Sequence, residues 1–155
     1  MRVEARRATD ADVPEVCALY EALRDEMVAL KPVWDLTDGF PEPVSDHVAG
    51  LVAAEELWIG TIDDVPFGFL SGRLDDLLPQ ADGRRMATIE HIFTHPEARE
   101  VGVGEAMLDA FLAFARDDGI DLFDAVAPPG QRLTKNFFES AGFSARRIVM
   151  HHEEE

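Results

Sequence analysis

The stretch HPEAREVGVGEAM, residues 95–107, sets an arginine three residues before Gly-Val-Gly, and an apolar run at helical spacing follows at once. A helix start leaves backbone N–H groups without partners and carries the positive end of the helix dipole. Glycines there let an anion approach the bare backbone, and Arg99 adds a fixed positive charge just upstream. The chemistry this suits is the binding of a pyrophosphate. The same residues also suit an ordinary tight turn, with Gly102 and Gly104 relieving crowding. Two familiar phosphate loops are excluded. A Rossmann fingerprint needs a third glycine where Met107 stands, and a P-loop needs Gly-Lys-Ser/Thr where Gly104 is followed by Glu105.

Metal chemistry finds little support. Cys17 is alone, and no HExxH is present. His91 and His95 are four apart, a spacing that makes a metal pair on a helix, but the segment reads as strand and turn. No metal is expected. His95 reads as a turn residue, and HHEEE at the end as a frayed tail.

The elements that must position these residues follow from periodicity and punctuation. A strand over 3–8 leads to Thr9, a helix cap with Asp12 three residues on. Val13, Val16, Tyr20, Leu23 and Met27 mark an amphipathic helix over 10–28. A proline-rich loop and a shorter helix over 44–54 come next. Two β-type runs around Asp63-Asp64 predict a hairpin. MATIEHIFTH is a strand stopping at Pro96, Gly102 to Asp117 the clearest helix, and DLFDAVAP a strand. GQRLTKNFFESAG is a helix closed by Gly142, and FSARRIVMHH a last strand. The order β-α-α-β-β-β-α-β-α-β describes one mixed α/β domain over 1–155. The strands at 87–94 and 122–127 flank a helical crossover and are expected to be parallel neighbours.

Within this frame, IEHIFTHPEAREVGVGEAML resembles the signature of the GNAT superfamily of acyl-CoA-dependent N-acyltransferases. In that family a strand ends in a Pro-Glu-x-Arg turn, and Arg/Gln-x-x-Gly-x-Gly/Ala opens a helix. Arg99, Gly102 and Gly104 match each position. NFFESAGF resembles the family's closing helix, with Glu139, Gly142 and Phe143 in place and Phe138 where a tyrosine is usual. The resemblance covers residues 2–150. It implies an α/β (α+β) fold with a central mixed sheet of six to seven strands and about four helices.

It also implies a site. The backbone of Glu100, Val101, Gly102, Val103, Gly104 and Glu105 would cradle the pyrophosphate of acetyl-CoA. The edge of Ile92, Phe93 and Thr94 would pair with the pantetheine arm. Gln131 stands where the family often has an asparagine that bonds the arm. Phe138 would border the cofactor. Glu90, taken to share a strand face with Ile92 and Thr94, lies where many members carry an acidic residue and is the candidate base. The alternative for Glu90 is a solvent-facing ion pair, and Asp124 is the reserve. The backbone N–H of Phe93 is the expected donor to the thioester carbonyl. Phe138 has no proton to give the departing thiolate. Tyr20, the only tyrosine, could replace it, or could be a core residue. Trp34, Phe40 and Trp58 could floor the acceptor cleft or belong to the core. Arg132, Lys135, Arg146 and Arg147 could meet the 3′-phosphate or balance surface charge.

The expected activity is transfer of an acetyl group from acetyl-CoA to a primary amine by direct attack. A polyamine, an aminoglycoside-like amine and a protein N-terminus are candidate acceptors. The alternative is a GNAT-fold module that binds acyl-CoA with weak chemistry or a regulatory role. The formal charge of −17, from 31 acidic and 14 basic residues, argues against nucleic acid and anionic membranes as partners. It hints at a cationic acceptor, and it fits either a solvated acidic surface or a saline cytoplasm. Without a long apolar run or a signal-like start, a cytoplasmic protein is expected. Many family members dimerise through C-terminal strands, which makes a homodimer an expectation.

Overall fold

The computed structural model describes residues 1–128 and 130–155. A five-stranded sheet in the order β1-β2-β3-β4-β5 forms the centre. Its strands are β1 (Val3–Arg7), β2 (Leu57–Ile62), β3 (Val65–Asp76), β4 (Arg85–Thr94) and β5 (Leu122–Ala125). The first four are antiparallel, and β5 runs parallel to β4 as the crossover requires. Asp63 and Asp64 both take positive φ, 48° and 69°, which makes the tight hairpin between β2 and β3.

Helices α1 (Val13–Leu30), α2 (Trp34–Thr37) and α3 (Val44–Ala53) cover one face, and α4 (Val103–Asp117) and α5 (Arg132–Ser140) the other. The α1 start is set as the sequence indicates. Asp12 accepts hydrogen bonds from the Thr9 N–H at 2.7 Å and from both Nη atoms of Arg6. These bonds hold its carboxyl below the usual carboxylate range, with Arg6 the main cause. Helix α4 buries Val103, Met107, Leu108, Phe111, Leu112 and Ala115. Each large side chain contributes about 1.5–3 kcal/mol by leaving water, so the helix is anchored by its stripe and not by its first turn.

The expected last strand does not form. Residues 143–155 make no ladder, and Ile148, Val149 and Met150 are exposed. Among the described residues, the outer edge of β5 stays unpaired, and beyond Phe143, which packs on Phe138, the segment brings no side chain into the core that would hold it there. Its described link to the sheet is the ion pair of Arg146 with Asp124, on β5. The sheet therefore has five strands in place of six to seven, within the expected class of fold.

One irregularity controls the site. The β3–β4 register pairs Ser71 with His91 and Gly72 with Ile89, so Glu90 is an extra residue in β4. Such a bulge reverses which way the following residues point. Before it, Ala87 and Ile89 face α4; after it, Ile92 faces α4 while His91 and Phe93 face the α1 side.

Candidate functional site

Beyond Ile89, β4 and β5 part. Their last bond is Val126 N–H to the Ile89 carbonyl, at 3.0 Å, and β4 runs on to Thr94 with no β5 partner. A slot opens there between the edge of residues 92–94 and the segment after β5. The register decides which peptide groups line it. His95 donates its N–H to Phe67 O at 2.7 Å, so hydrogen-bonded pairs fall at 95, 93 and 91. The N–H of Phe93 therefore points to β3, and the peptide groups of Ile92 and Thr94 point to the slot. The Phe93 N–H, expected to face the thioester, is thus turned away from the slot, and the nearest N–H that faces it is that of Ile92.

At the end of the slot, Glu100 and Gly102 take φ of 68° and 96° and turn the chain into α4. No side chain caps this helix, and the first return bond runs from Ala106 N–H to Gly102 O. The N–H groups of Val103, Gly104 and Glu105 thus point out of its end. A Cβ on Gly102 would meet nothing within 4 Å, and one on Gly104 would lie 3.5 Å from Phe137. The loop is an open cradle, with Val101 on its outer side. Phe137, which sequence reasoning passed over, borders it. Phe138 is buried in the α4 core against Phe137 and Phe143, away from this opening.

Arg99 is turned back over β4. Its Nε donates to Thr94 O at 3.0 Å, its guanidinium lies 5.6 Å from the Phe93 ring centre, and Nη2 donates to Glu26 of α1 at 2.9 Å. Gln131, just before α5, reaches the same carboxylate with Nε2.

The other face holds a cluster around the bulge. Glu90 accepts a hydrogen bond from Arg73, which also binds Asp75. Arg73 belongs to the β3 side chains that point to α1 and α3, so Glu90 does not share a face with Ile92 and Thr94 as expected. The bulge places Glu90 beside His91 instead. His91 donates from Nε2 to Asp38 O at 2.7 Å, which leaves Nδ1 to accept from Ser71 Oγ at 3.3 Å. Its ring meets Trp34 and Phe40 edge-on. Burial pushes the imidazole below its ordinary value, and His47, packed on Phe40, is lowered for the same reason.

Tyr20 is fully buried. Its hydroxyl accepts the Phe40 N–H at 2.6 Å and its ring stacks on Phe40 at 4.2 Å, pinning the loop that carries Asp38. Trp34 and Phe40 lie on the Glu90 face. Trp58 is on the opposite one, packed with Phe111 and Phe114 under Arg7. Asp124 is held ionised, its carboxyl lowered by Arg146. Lys135 pairs with Glu139, and His95 accepts the Glu97 N–H at its turn.

A family model described as acetyltransferase (GNAT) family matches residues 16–143. A search of curated protein sequences finds no significant match. Several solved structures share the fold. A tetramutant of a Bacillus halodurans protein is 20% identical with a TM-score of 0.79, over 99% of this chain and 100% of that one. A ribosomal-protein-alanine N-acetyltransferase from Brucella melitensis is 18% identical, TM-score 0.72, over 99% and 100%. The aminoglycoside N-acetyltransferase AAC(6')-Iy, in complex with CoA, is 17% identical, TM-score 0.72, over 99% and 95%. At these identities the likeness establishes the fold. Among the described residues, no helix is long and apolar enough to cross a membrane.

Proposed function

The chain belongs to the GNAT acetyltransferase family, and from that premise we propose that it moves the acetyl group of acetyl-CoA directly to a primary amine. The observation that carries this is the unpaired β4 edge at Ile92–Thr94, which runs straight into the uncapped, glycine-opened start of α4. These residues fit an acyl-CoA. The edge offers strand-type hydrogen bonds to the pantetheine amides, and the N–H groups of Val103, Gly104 and Glu105 suit a pyrophosphate. Arg99 and Gln131 border the slot together, both bonded to Glu26. The bound co-substrate supplies an activated thioester.

The chain's own residues supply the rest. Ile92 N–H donates to the thioester carbonyl oxygen as it gains charge. Glu90, on the far side of the same strand, takes the proton of the attacking amine, and Arg73 holds its carboxylate in place. Tyr20 and Phe138 are left out of the proton path, the first by its full burial between Trp34 and Phe40 and the second by lacking a proton to give. The C–S bond breaks as the amide forms, and the thiolate, which leaves well without an acid, takes a proton from water while Glu90 returns the amine's proton to solvent.

The excess of acidic over basic residues favours a cationic acceptor, although Asp35 and Glu42 are already paired with Arg24 and Glu90 with Arg73; polyamines, aminoglycoside-like amines and protein N-termini are the classes to screen. A homodimer and a cytoplasmic setting belong to the same reading. A second reading, an acyl-CoA-binding module with weak chemistry, draws on the Arg73–Glu90 pair, which engages the base before any amine arrives.

Calorimetric titration with acetyl-CoA, with NADPH as a control for an adenine phosphate, tests the proposal. Micromolar binding of acetyl-CoA alone is expected, followed by free-thiol release in an amine screen. Absence of binding at both low and high salt would refute it. Binding without turnover of any amine would favour the module.

A further inference from the structure

Two groups expected to face the co-substrate, Arg99 and Gln131, are tied together by a residue outside the motif. Glu26, in the last turns of α1, accepts Arg99 Nη2 at 2.9 Å with Oε1 and Gln131 Nε2 at 3.3 Å with Oε2. Gln131 Nε2 also lies 3.1 Å from Met27 Sδ, and Arg99 Nε takes the Thr94 carbonyl. One carboxylate thus links α1, the turn before α4 and the segment before α5, across the place where β4 and β5 part.

The local charge makes this linkage consequential. Between residues 96 and 105, Arg99 is the one basic residue against Glu97, Glu100 and Glu105. With Glu26 engaged, the cradle has no uncompensated cation to offer a phosphate. The Glu26–Arg99 pair is only about one-third exposed, at 32% and 33%, so water screens it incompletely.

We propose that Glu26 is a displaceable internal anion that sets the affinity of the slot, holding Arg99 and Gln131 until a phosphate and an amide of the acyl-CoA take them over. This rests on the proposed acyl-CoA site. Glu26→Gln keeps the size and a hydrogen-bond acceptor but removes the charge. A partly exposed ion pair is worth up to about fivefold in an equilibrium, so Glu26→Gln is expected to bind acetyl-CoA about two- to fivefold more tightly than the wild type at low salt. S-acetylpantetheine, which has no phosphate, gains nothing. The gain disappears in 0.5 M salt, a concentration of about 4 Å screening length, and in an Arg99→Gln background.

Calorimetry reads each outcome. Wild-type binding with unchanged or weaker binding by Glu26→Gln would overturn the role of Glu26 and leave the acyl-CoA site standing. An equal gain for S-acetylpantetheine would also overturn it, because the effect would then be steric opening. Failure of every form to bind acetyl-CoA would remove the site itself, and the inference with it.

Discussion

Gly102 and Gly104 stand two residues apart, yet the structure assigns them opposite responses to a methyl group. Gly104 is the second residue of α4, at an ordinary helical φ, and its added Cβ would touch Phe137 at 3.5 Å and Thr94 Oγ1 at 3.7 Å, both normal contacts. Gly104→Ala is therefore expected to stabilise the free protein by about 0.5–1 kcal/mol, since alanine loses less backbone freedom on entering a helix. For a chain of this size that is roughly a 1–4 °C rise in Tm. The family motif takes Gly or Ala at this position, so the methyl is expected to leave the Gly104 N–H open and acetyl-CoA affinity close to that of the wild type. Loss of one hydrogen bond to a charged oxygen costs about 1.5–3 kcal/mol, so Gly104→Pro, which removes that N–H in the first turn where proline is tolerated, is expected to weaken acetyl-CoA binding about 10- to 150-fold. Gly102→Ala behaves otherwise. It meets no atom within 4 Å but must hold φ at 96°, which costs about 1–2 kcal/mol in stability. Differential scanning fluorimetry on the two alanine variants and calorimetric titration on Gly104→Pro give these numbers. A Gly104→Pro protein that folds and binds acetyl-CoA as well as the wild type would refute the cradle, whatever the activity.

Three further outcomes follow from groups already described. Glu90→Gln is expected to lower kcat by about 100-fold or more while leaving the acetyl-CoA Kd unchanged, measured by thiol release against calorimetry; an unaltered kcat removes Glu90 as base. Asp12→Ala is expected to cost about 1 kcal/mol at pH 7, from the lost cap and the half-exposed Arg6 pair. Because the folded carboxyl lies below its unfolded value of about 3.9, that stability is present above about pH 4–5 and is lost as pH falls, so wild type and variant should converge in acid denaturation near pH 2–3. His91 works in the same direction for a different reason. Its folded imidazole is kept neutral by burial, so the wild type should lose stability as pH falls below about 6.5, and His91→Gln should lose less between pH 7 and 5 in parallel urea titrations.

Local signals in the sequence carry the fold and the cradle. Gly102 at the mouth of a strongly periodic helix, the Asp63-Asp64 hairpin and the Thr9–Asp12 cap each depend on neighbours within a few residues, and each forms as read. What was misread depends on partners far along the chain. The face of Glu90 and the direction of the Phe93 N–H follow from a register shift against Ser71 and Gly72, for which nothing near residue 90 gives a sign. Trp58, left open between cleft floor and core, is a core residue on the α4 side, where strand alternation sends it. FSARRIVMHH has a strand's composition, but beyond Phe143 it is exposed and leaves the outer edge of β5 unpaired. Glu26 is 73 residues from Arg99 and 105 from Gln131, a distance no motif bridges.

The bulge at residue 90 sets two consecutive side chains, Glu90 and His91, on the same surface of β4. Substitutions at 90 change that surface on a constant architecture, and so isolate its chemistry cleanly. Deleting the residue would leave Ile89 and His91 adjacent, opposite Gly72 and Ser71, as a regular ladder. His91 and Phe93 would keep the α1 side, Ile92 the α4 side, and the Ile92 and Thr94 amides the slot. The strand carries position 90 as a detachable insertion, so a chain shortened there should bind acetyl-CoA as before while losing whatever the carboxylate does.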